Sequence, residues 1–193
     1  MAHSPASPAF WQDIAQLKPT QLYLSRQKVD RVNSWFHPSL QNFTPVSVRD
    51  FLGGGTLYLT DGHSRAYVAW RSGCRLVPCV YDNSEIVTNP LGQAQYRNDI
   101  QWCERFHIRH ISHLAERIVP PADYAALWQE RCERMYQMEL ALQNGALPLS
   151  VFQATKQTLL AQGFFLYGFS QDLTVCYYEN AAGELLESPF PLP

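Results

Sequence analysis

Thr56-Leu57-Tyr58-Leu59-Thr60-Asp61-Gly62-His63-Ser64-Arg65-Ala66-Tyr67-Val68-Ala69-Trp70-Arg71-Ser72-Gly73 decides how the 193-residue chain is read. The stretch begins with a short run rich in β-branched and aromatic residues and turns at Asp61-Gly62. Ala66, Ala69 and Trp70 then recur at helical spacing until Gly73 can end a helix. Leu76 to Tyr81 is a second apolar run, rich in Val and Cys. The pattern therefore predicts strand, turn, short helix and strand, in about the ~30 residues that a crossover needs. A hairpin is the alternative, because Asp-Gly is a strong two-residue turn signal and Arg65 to Trp70 also alternates tolerably.

Polar residues concentrate where the helix begins. The first amides of a helix have no partner within it and carry the positive end of its dipole, so an anion fits there. Gly62 lets a phosphate approach the backbone closely, His63 and Arg65 can add charge-assisted hydrogen bonds, and Asp61 could hold a metal ion or accept a proton. The plainer alternative is that Asp61 caps the helix by accepting from the Ser64 amide, with His63 and Arg65 solvated.

Pro45-Val46-Ser47-Val48, the Leu57 to Trp70 run with its Asp61-Gly62-His63-Ser64-Arg65 core, Gly73, and Val77-Pro78-Cys79-Val80-Tyr81 together resemble the ParB N-terminal/sulfiredoxin-like superfamily. Its members share a small α/β domain whose Gly-x-x-Arg turn at a helix start binds nucleotide phosphates. The Asp-Gly-His-x-Arg form is most similar to the branch with ADP-dependent free-serine kinases, and Ser64 stands near where sulfiredoxins carry a cysteine. The resemblance spans roughly Leu17 to Asp82 and favours strand-to-helix at the turn. It implies ATP or ADP as ligand, with Mg2+ as an optional companion. Asp61 and His63 become candidate catalytic residues, and Gly62, His63, Ser64 and Arg65 candidate phosphate ligands. One position departs from the pattern: the kinases' general-base glutamate follows a Lys-Pro pair, and here Lys18-Pro19-Thr20 is followed by Gln21. An amide cannot take a proton from a substrate hydroxyl, so nucleotide binding is implied more directly than phosphoryl transfer. Asp30 is a carboxylate close in the chain to that position.

Composition narrows the classes. With 46% apolar residues the chain can bury a core, and 15 Lys and Arg against 17 Asp and Glu give a net charge of −2. No overall basic field is present to supply non-specific nucleic-acid affinity, which counts against DNA binding. Five cysteines, odd in number and never in a Cys-x-x-Cys pair, suit a reducing compartment. No apolar run approaches the ~20 residues that cross a bilayer, and no signal-like start is visible, so a cytoplasmic protein is expected.

The expected class is α+β: a small ParB/sulfiredoxin-like mixed sheet with helices, then a helical segment, then a C-terminal helix with antiparallel strands. The corresponding divisions are an N-terminal extension over 1–16, a nucleotide-binding domain over 17–89, a helical segment over 90–145 and an α+β extension over 146–193. Met1 to Pro8 reads as a disordered start, and Phe10 to Leu17 as a short helix. Strand-like Gln21 to Ser25 leads into a helix from Arg26 to Phe36 with a basic side, Phe43 to Asp50 is a strand, and Gly53-Gly54-Gly55 is a hairpin loop. Long helices are expected over 93–113 and 124–144, the second beginning at Pro121 or Asp123 and ending at Gly145. From Ser150, a helix to Gly163 precedes strands at Phe164 to Phe169, Leu173 to Glu179 and Glu184 to Leu186.

In the first long helix, Cys103, His107, His110 and His113 fall on one stripe of about 120°. Collinear residues over three turns bring at most two ligands together, so no metal site is expected. With Arg105, Arg109 and Arg117 they suit an anion instead, if this helix packs over the Asp61 turn. Gln21, Arg26, His107, Arg109 and His110 are thus further candidates for substrate or anion contact. The expected partners are a nucleotide, a small hydroxyl substrate and a second copy of the chain. Three functions follow: phosphoryl transfer or nucleotide hydrolysis, a non-catalytic nucleotide-sensing or interaction module, or a ParB-like DNA-binding or nuclease role.

Overall fold

A computed structural model describes residues 8–192. The expected disordered start lies outside the described residues, apart from Pro8. The chain is α+β and divides into two compact units, Met1–Trp128 and Gln129–Pro193. That division falls inside the segment 90–145.

The first unit opens with β1 (Phe10–Asp13), a 3-10 turn over Ile14–Gln16, β2 (Leu24–Ser25) and α1 (Arg26–Asn33). Then come β3 (Val46–Arg49), β4 (Tyr58–Asp61), α2 (His63–Arg71) and β5 (Leu76–Tyr81). α3 (Glu85–Thr88), α4 (Pro90–Arg105), a 3-10 stretch over Ile111–Arg117, β6 (Ile118–Val119) and α5 (Pro121–Tyr124) complete it, followed by a π-helical turn at Ala125–Gln129.

The main sheet has the order β1-β5-β3-β4, with β3 parallel to β5 and antiparallel to β4. Val46 and Val48 are fully buried while Ser47 and Arg49 are not, the period of a strand with one face in the core. Strand, helix and strand stand where the sequence places them. The expected parallel crossover does not form, because β3 lies between β4 and β5 and those two run in opposite directions. The Gly53-Gly54-Gly55 loop joins a true hairpin, held by the Asp50 carboxylate accepting from the amides of Leu52, Gly53 and Gly55. Those amides, the Gly55 bond foremost, hold Asp50 below the usual carboxylate range.

Phe10 to Leu17 is not a helix. Its first half pairs antiparallel with β5, Phe10 opposite Cys79 and Asp13 opposite Leu76, and Phe10 stacks on Tyr81 at 4.9 Å. Trp11, which a docked helix would bury, is 61% exposed on this edge strand. The helix expected over 93–113 also stops early. The amide of His107 bonds Glu104 O and that of Ile108 bonds Cys103 O, a Schellman closure with His107 in the left-handed region at φ 57°. Cys103 therefore lies in the last turn of α4, His107 just beyond its end and His113 in a 3-10 turn, so the single stripe does not exist.

The second unit contains α6 (Glu130–Gln143), α7 (Leu149–Ala161) and an antiparallel sheet of β7 (Phe165–Phe169), β8 (Val175–Glu179) and β9 (Leu185–Pro189). Met138, Ala141, Leu147, Phe169 and Cys176 form its apolar core. Beside that core Arg131 donates to Glu179 and lies 4.5 Å from the Tyr167 ring centroid, with side-chain exposures of only 2% and 1% for the ion pair. A buried pair contributes little net stability, yet either member alone is an uncompensated charge. Glu179→Ala is therefore expected to cost roughly 3–5 kcal/mol in urea-unfolding measurements. Replacing the exposed Glu133 in the same unit should change stability by less than about 0.5 kcal/mol.

Candidate functional site

The start of α2 is built from β4, from the segment 18–20 and from the turn itself. Lys18 pairs alongside β4, its amide donating to Leu57 O and its carbonyl accepting from the Leu59 amide at 2.9 Å. Thr20 then donates its hydroxyl to Leu59 O at 2.6 Å and its amide to Nε2 of His63 at 3.1 Å.

Gly62 occupies the cap of α2 in the left-handed region, φ 92°. A Cβ there would lie 2.8 Å from both Val46 Cγ1 and Arg65 Nη2, so glycine is required by backbone conformation and by space. Gly62 has no side chain with which to cap the helix, and among the described residues the first-turn amides of His63, Ser64 and Arg65 donate to no side chain. Asp61 is not the cap that the plainer alternative proposed. Its carboxylate accepts from Arg65 Nη2 at 2.8 Å, and the same nitrogen reaches Pro45 O at 3.4 Å. Asp61 is the outer partner of that pair, with a side chain 73% exposed against 21% for Arg65. The Nε of Arg65 is buried without a hydrogen bond.

His63 is buried, and its environment pushes its pKa down to about 4. Burial is the main cause; the positive charges of Lys28 and Arg65 add to it and Asp61 opposes them. The imidazole is neutral near pH 7, with Nε2 accepting from the Thr20 amide and the proton on Nδ1. It does not supply the cationic phosphate ligand expected of it; it anchors the turn to the segment 18–20. Ser64 is half-buried on the first turn of α2.

Gln21, at the position of the expected base, donates its side-chain amide to the hydroxyl of Tyr124, and Lys28 lies 5.0 Å from the Tyr124 ring centroid. Thr20, Lys28 and Tyr124 thus belong to this neighbourhood and were not among the expected residues. Tyr124 carried no legible signal, being more than sixty positions away in sequence. Thr20 immediately precedes Gln21 in the Lys-Pro-Thr-Gln run.

The remaining candidates have other partners. Arg26 donates to Ile118 O at 3.3 Å, bracing the β2–β6 pair. His110 Nδ1 lies 3.1 Å from Ala15 O. His113 Nδ1 lies 2.6 Å from His107 O. Arg117 stacks on the rings of Phe106 and Tyr23, and Arg105 on Trp102. Arg109 lines a cavity of about 400 Å³ beside Lys18 and Tyr58. Neither His107 nor His110 is joined to the Asp61 turn by a hydrogen bond. Asp30 is exposed on α1.

The five cysteines are all free thiols. Among the described residues, no three His, Cys, Asp or Glu side chains group as metal ligands, and no helix is long and apolar enough to cross a membrane. In comparisons with known proteins, the chain matches no protein-family model and no curated protein.

The depressed pKa of His63 fixes the sign of a pH effect. In the unfolded chain the imidazole takes a proton near 6.5, and in the folded chain only near 4. Between those values the unfolded state binds more protons, so this stabilisation is complete above pH 6.5 and is lost as pH falls towards 4. Acidification across that window should remove up to about 3 kcal/mol through His63. A pH series of thermal melts on wild type and His63→Gln, which keeps an acceptor for Thr20, should show the acid-side slope reduced in the variant.

Proposed function

We infer that the chain is a nucleotide-binding protein of the ParB/sulfiredoxin-like kind that holds the phosphates of ATP or ADP at the start of α2. The observation that carries this reading is the uncapped helix start. A left-handed glycine leaves room for a close approach, the first-turn amides have no side-chain acceptor among the described residues, and Arg65 stands on the flank. A phosphate oxygen would take the amides of Ser64 and Arg65 and compete with Asp61 for the guanidinium. Asp61 is the exposed member of that pair and can swing into water. Lys28 adds a second positive charge near the turn.

Binding without turnover is favoured over phosphoryl transfer. Phosphoryl transfer depends on a positioned base or water-orienting group and on charge neutralisation at the phosphate. Here Gln21 carries an amide already bonded to Tyr124, and His63 has its basic nitrogen occupied by Thr20. A nucleotide sensor or interaction module fits those groups, with Mg2+ as an optional companion of the phosphates. Hydrolysis is the second reading, and the exposed carboxylate of Asp61 is what favours it, because once released from Arg65 it could hold Mg2+ or orient a water.

Titration of the purified chain with ATP, ADP and CTP, with and without Mg2+, while following binding and phosphate release together, separates these readings. Saturable binding of ATP or ADP without phosphate release is expected. Arg65→Ala should weaken it about 10- to 100-fold, the loss of one charge-assisted contact. Phosphate release that disappears in Asp61→Ala would establish hydrolysis instead. No binding of any nucleotide by the folded chain would overturn the proposal.

A further inference from the structure

The cavity beside the segment 18–20 has a different chemistry from the Asp61 turn. Its volume, about 400 Å³, lies within the range of small-molecule sites. Four polar side chains reach it: Lys18, Tyr58, Glu104 and Arg109. Among the described residues, none of the four makes a side-chain hydrogen bond or ion pair, although they carry opposite charges around one space. At the Asp61 turn, by contrast, Asp61 and Arg65 are spent on each other and His63 on Thr20.

The rest of the lining is apolar. Pro19, Ile100, Cys103 and Ile108 are buried, Cys103 at 2% and Ile100 and Ile108 at 3% exposure. The charged groups lie further out, since Glu104 and Arg109 are exposed and Lys18 is half-buried. Tyr58, 7% exposed, places its phenol at the boundary, where burial first and then Glu104 raise its pKa and keep it a neutral donor. The space is therefore amphipathic by depth, with an apolar floor, a neutral hydroxyl midway and a rim with two positive charges to one negative. A ligand that satisfies the whole lining has a hydrocarbon body and an anionic head.

We propose that this cavity is a binding site for a small organic acid, its apolar body on Ile100, Ile108 and Pro19 and its carboxylate held by Lys18 and Arg109 with the Tyr58 hydroxyl. Arg109 can grip both carboxylate oxygens, and Lys18 supplies a second positive charge as a point charge. Glu104 sets the selectivity, because it disfavours a second negative charge at the rim and so excludes dicarboxylates. The site is separate from the nucleotide reading and does not depend on it.

The test uses the full chain and probes of defined chemistry: 3-phenylpropionate, hexanoate, their neutral amides, succinate and phenylalanine, each titrated by calorimetry with ligand-observed NMR as a second readout. The monocarboxylates should bind at least tenfold more tightly than their amides and than succinate. Lys18→Gln and Arg109→Gln remove charges that have no side-chain partner among the described residues, so the thermal midpoint should hold while each lowers acid affinity about tenfold and together they abolish the preference over the amide. Arg31→Gln, a cation on α1 outside the cavity, should change nothing. Equal binding of acid and amide, no binding of any probe to the folded chain, or a preference for phenylalanine that vanishes in Glu104→Gln would each overturn the assignment, the last by making the ammonium rather than the carboxylate the recognised group.

Discussion

The Thr20–His63 contact is the constraint on which the first unit depends. The segment 18–20 has no regular element of its own, and its backbone hydrogen bonds run to the β4 strand and to an imidazole. Lys18 exchanges hydrogen bonds with Leu57 and Leu59, Thr20 closes onto Leu59 O, and the Thr20 amide finds Nε2 of His63. An unpaired buried amide costs roughly 1–3 kcal/mol, so the histidine is a structural acceptor before it is anything else. Burial makes that possible, because only the neutral ring can accept, and the neighbouring charges of Lys28 and Arg65 push in the same direction.

From that contact the α2 turn acquires its geometry. With the His63 side chain directed inward, Arg65 two residues on lies about half a turn round the helix, where its guanidinium meets the carboxylate of Asp61 at the end of β4. Gly62 is the only residue type that fits between Val46 and Arg65 with a positive φ. The charges of the turn are balanced internally, and what remains unspent is backbone: the first-turn amides and the dipole behind them. Any ligand must recognise those amides and displace Asp61. The turn is therefore suited to an anion that competes well for an arginine, and poorly suited to chemistry that needs a free base.

The amount of this legible in the sequence follows from how local each determinant is. Helix ends marked by glycine were readable: Gly73 and Gly163 close their helices with Schellman bonds, and Gly145 follows α6 with a positive φ. The end of α4 was not readable, because His107 takes the left-handed position that glycine usually holds, and periodicity carried the expected helix eight residues too far. The Phe10 to Leu17 segment failed for the opposite reason. Its apolar spacing fits a helix, but the open hydrogen-bonding edge of β5, more than sixty residues away, takes it as a strand. The strand-to-helix turn at Asp61-Gly62 was readable because all its parts lie within five residues. Thr20 and Tyr124 were missed because their roles are defined only by partners far along the chain, and the assignment of charge to His63 failed because burial cannot be read from a motif.

The segment 18–20 also lines the cavity, so one short stretch of backbone joins two places of different character. Thr20 faces the α2 start through His63, while Lys18 and Pro19 face Tyr58 and the end of α4. Proximity alone does not couple such sites; coupling needs an element with two discrete arrangements that each ligand biases. The wall offers none near neutral pH. Its bonds to β4 are of strand type, proline restricts its middle residue, and the imidazole at its end stays neutral until the pH falls well below 6.5. The backbone bonds of the segment 18–20 therefore tie the cavity wall to β4 and to the start of α2 at once. What could loosen that tie is protonation of His63, which would replace the acceptor of the Thr20 amide with a donor and break the bond that fixes one end of the segment.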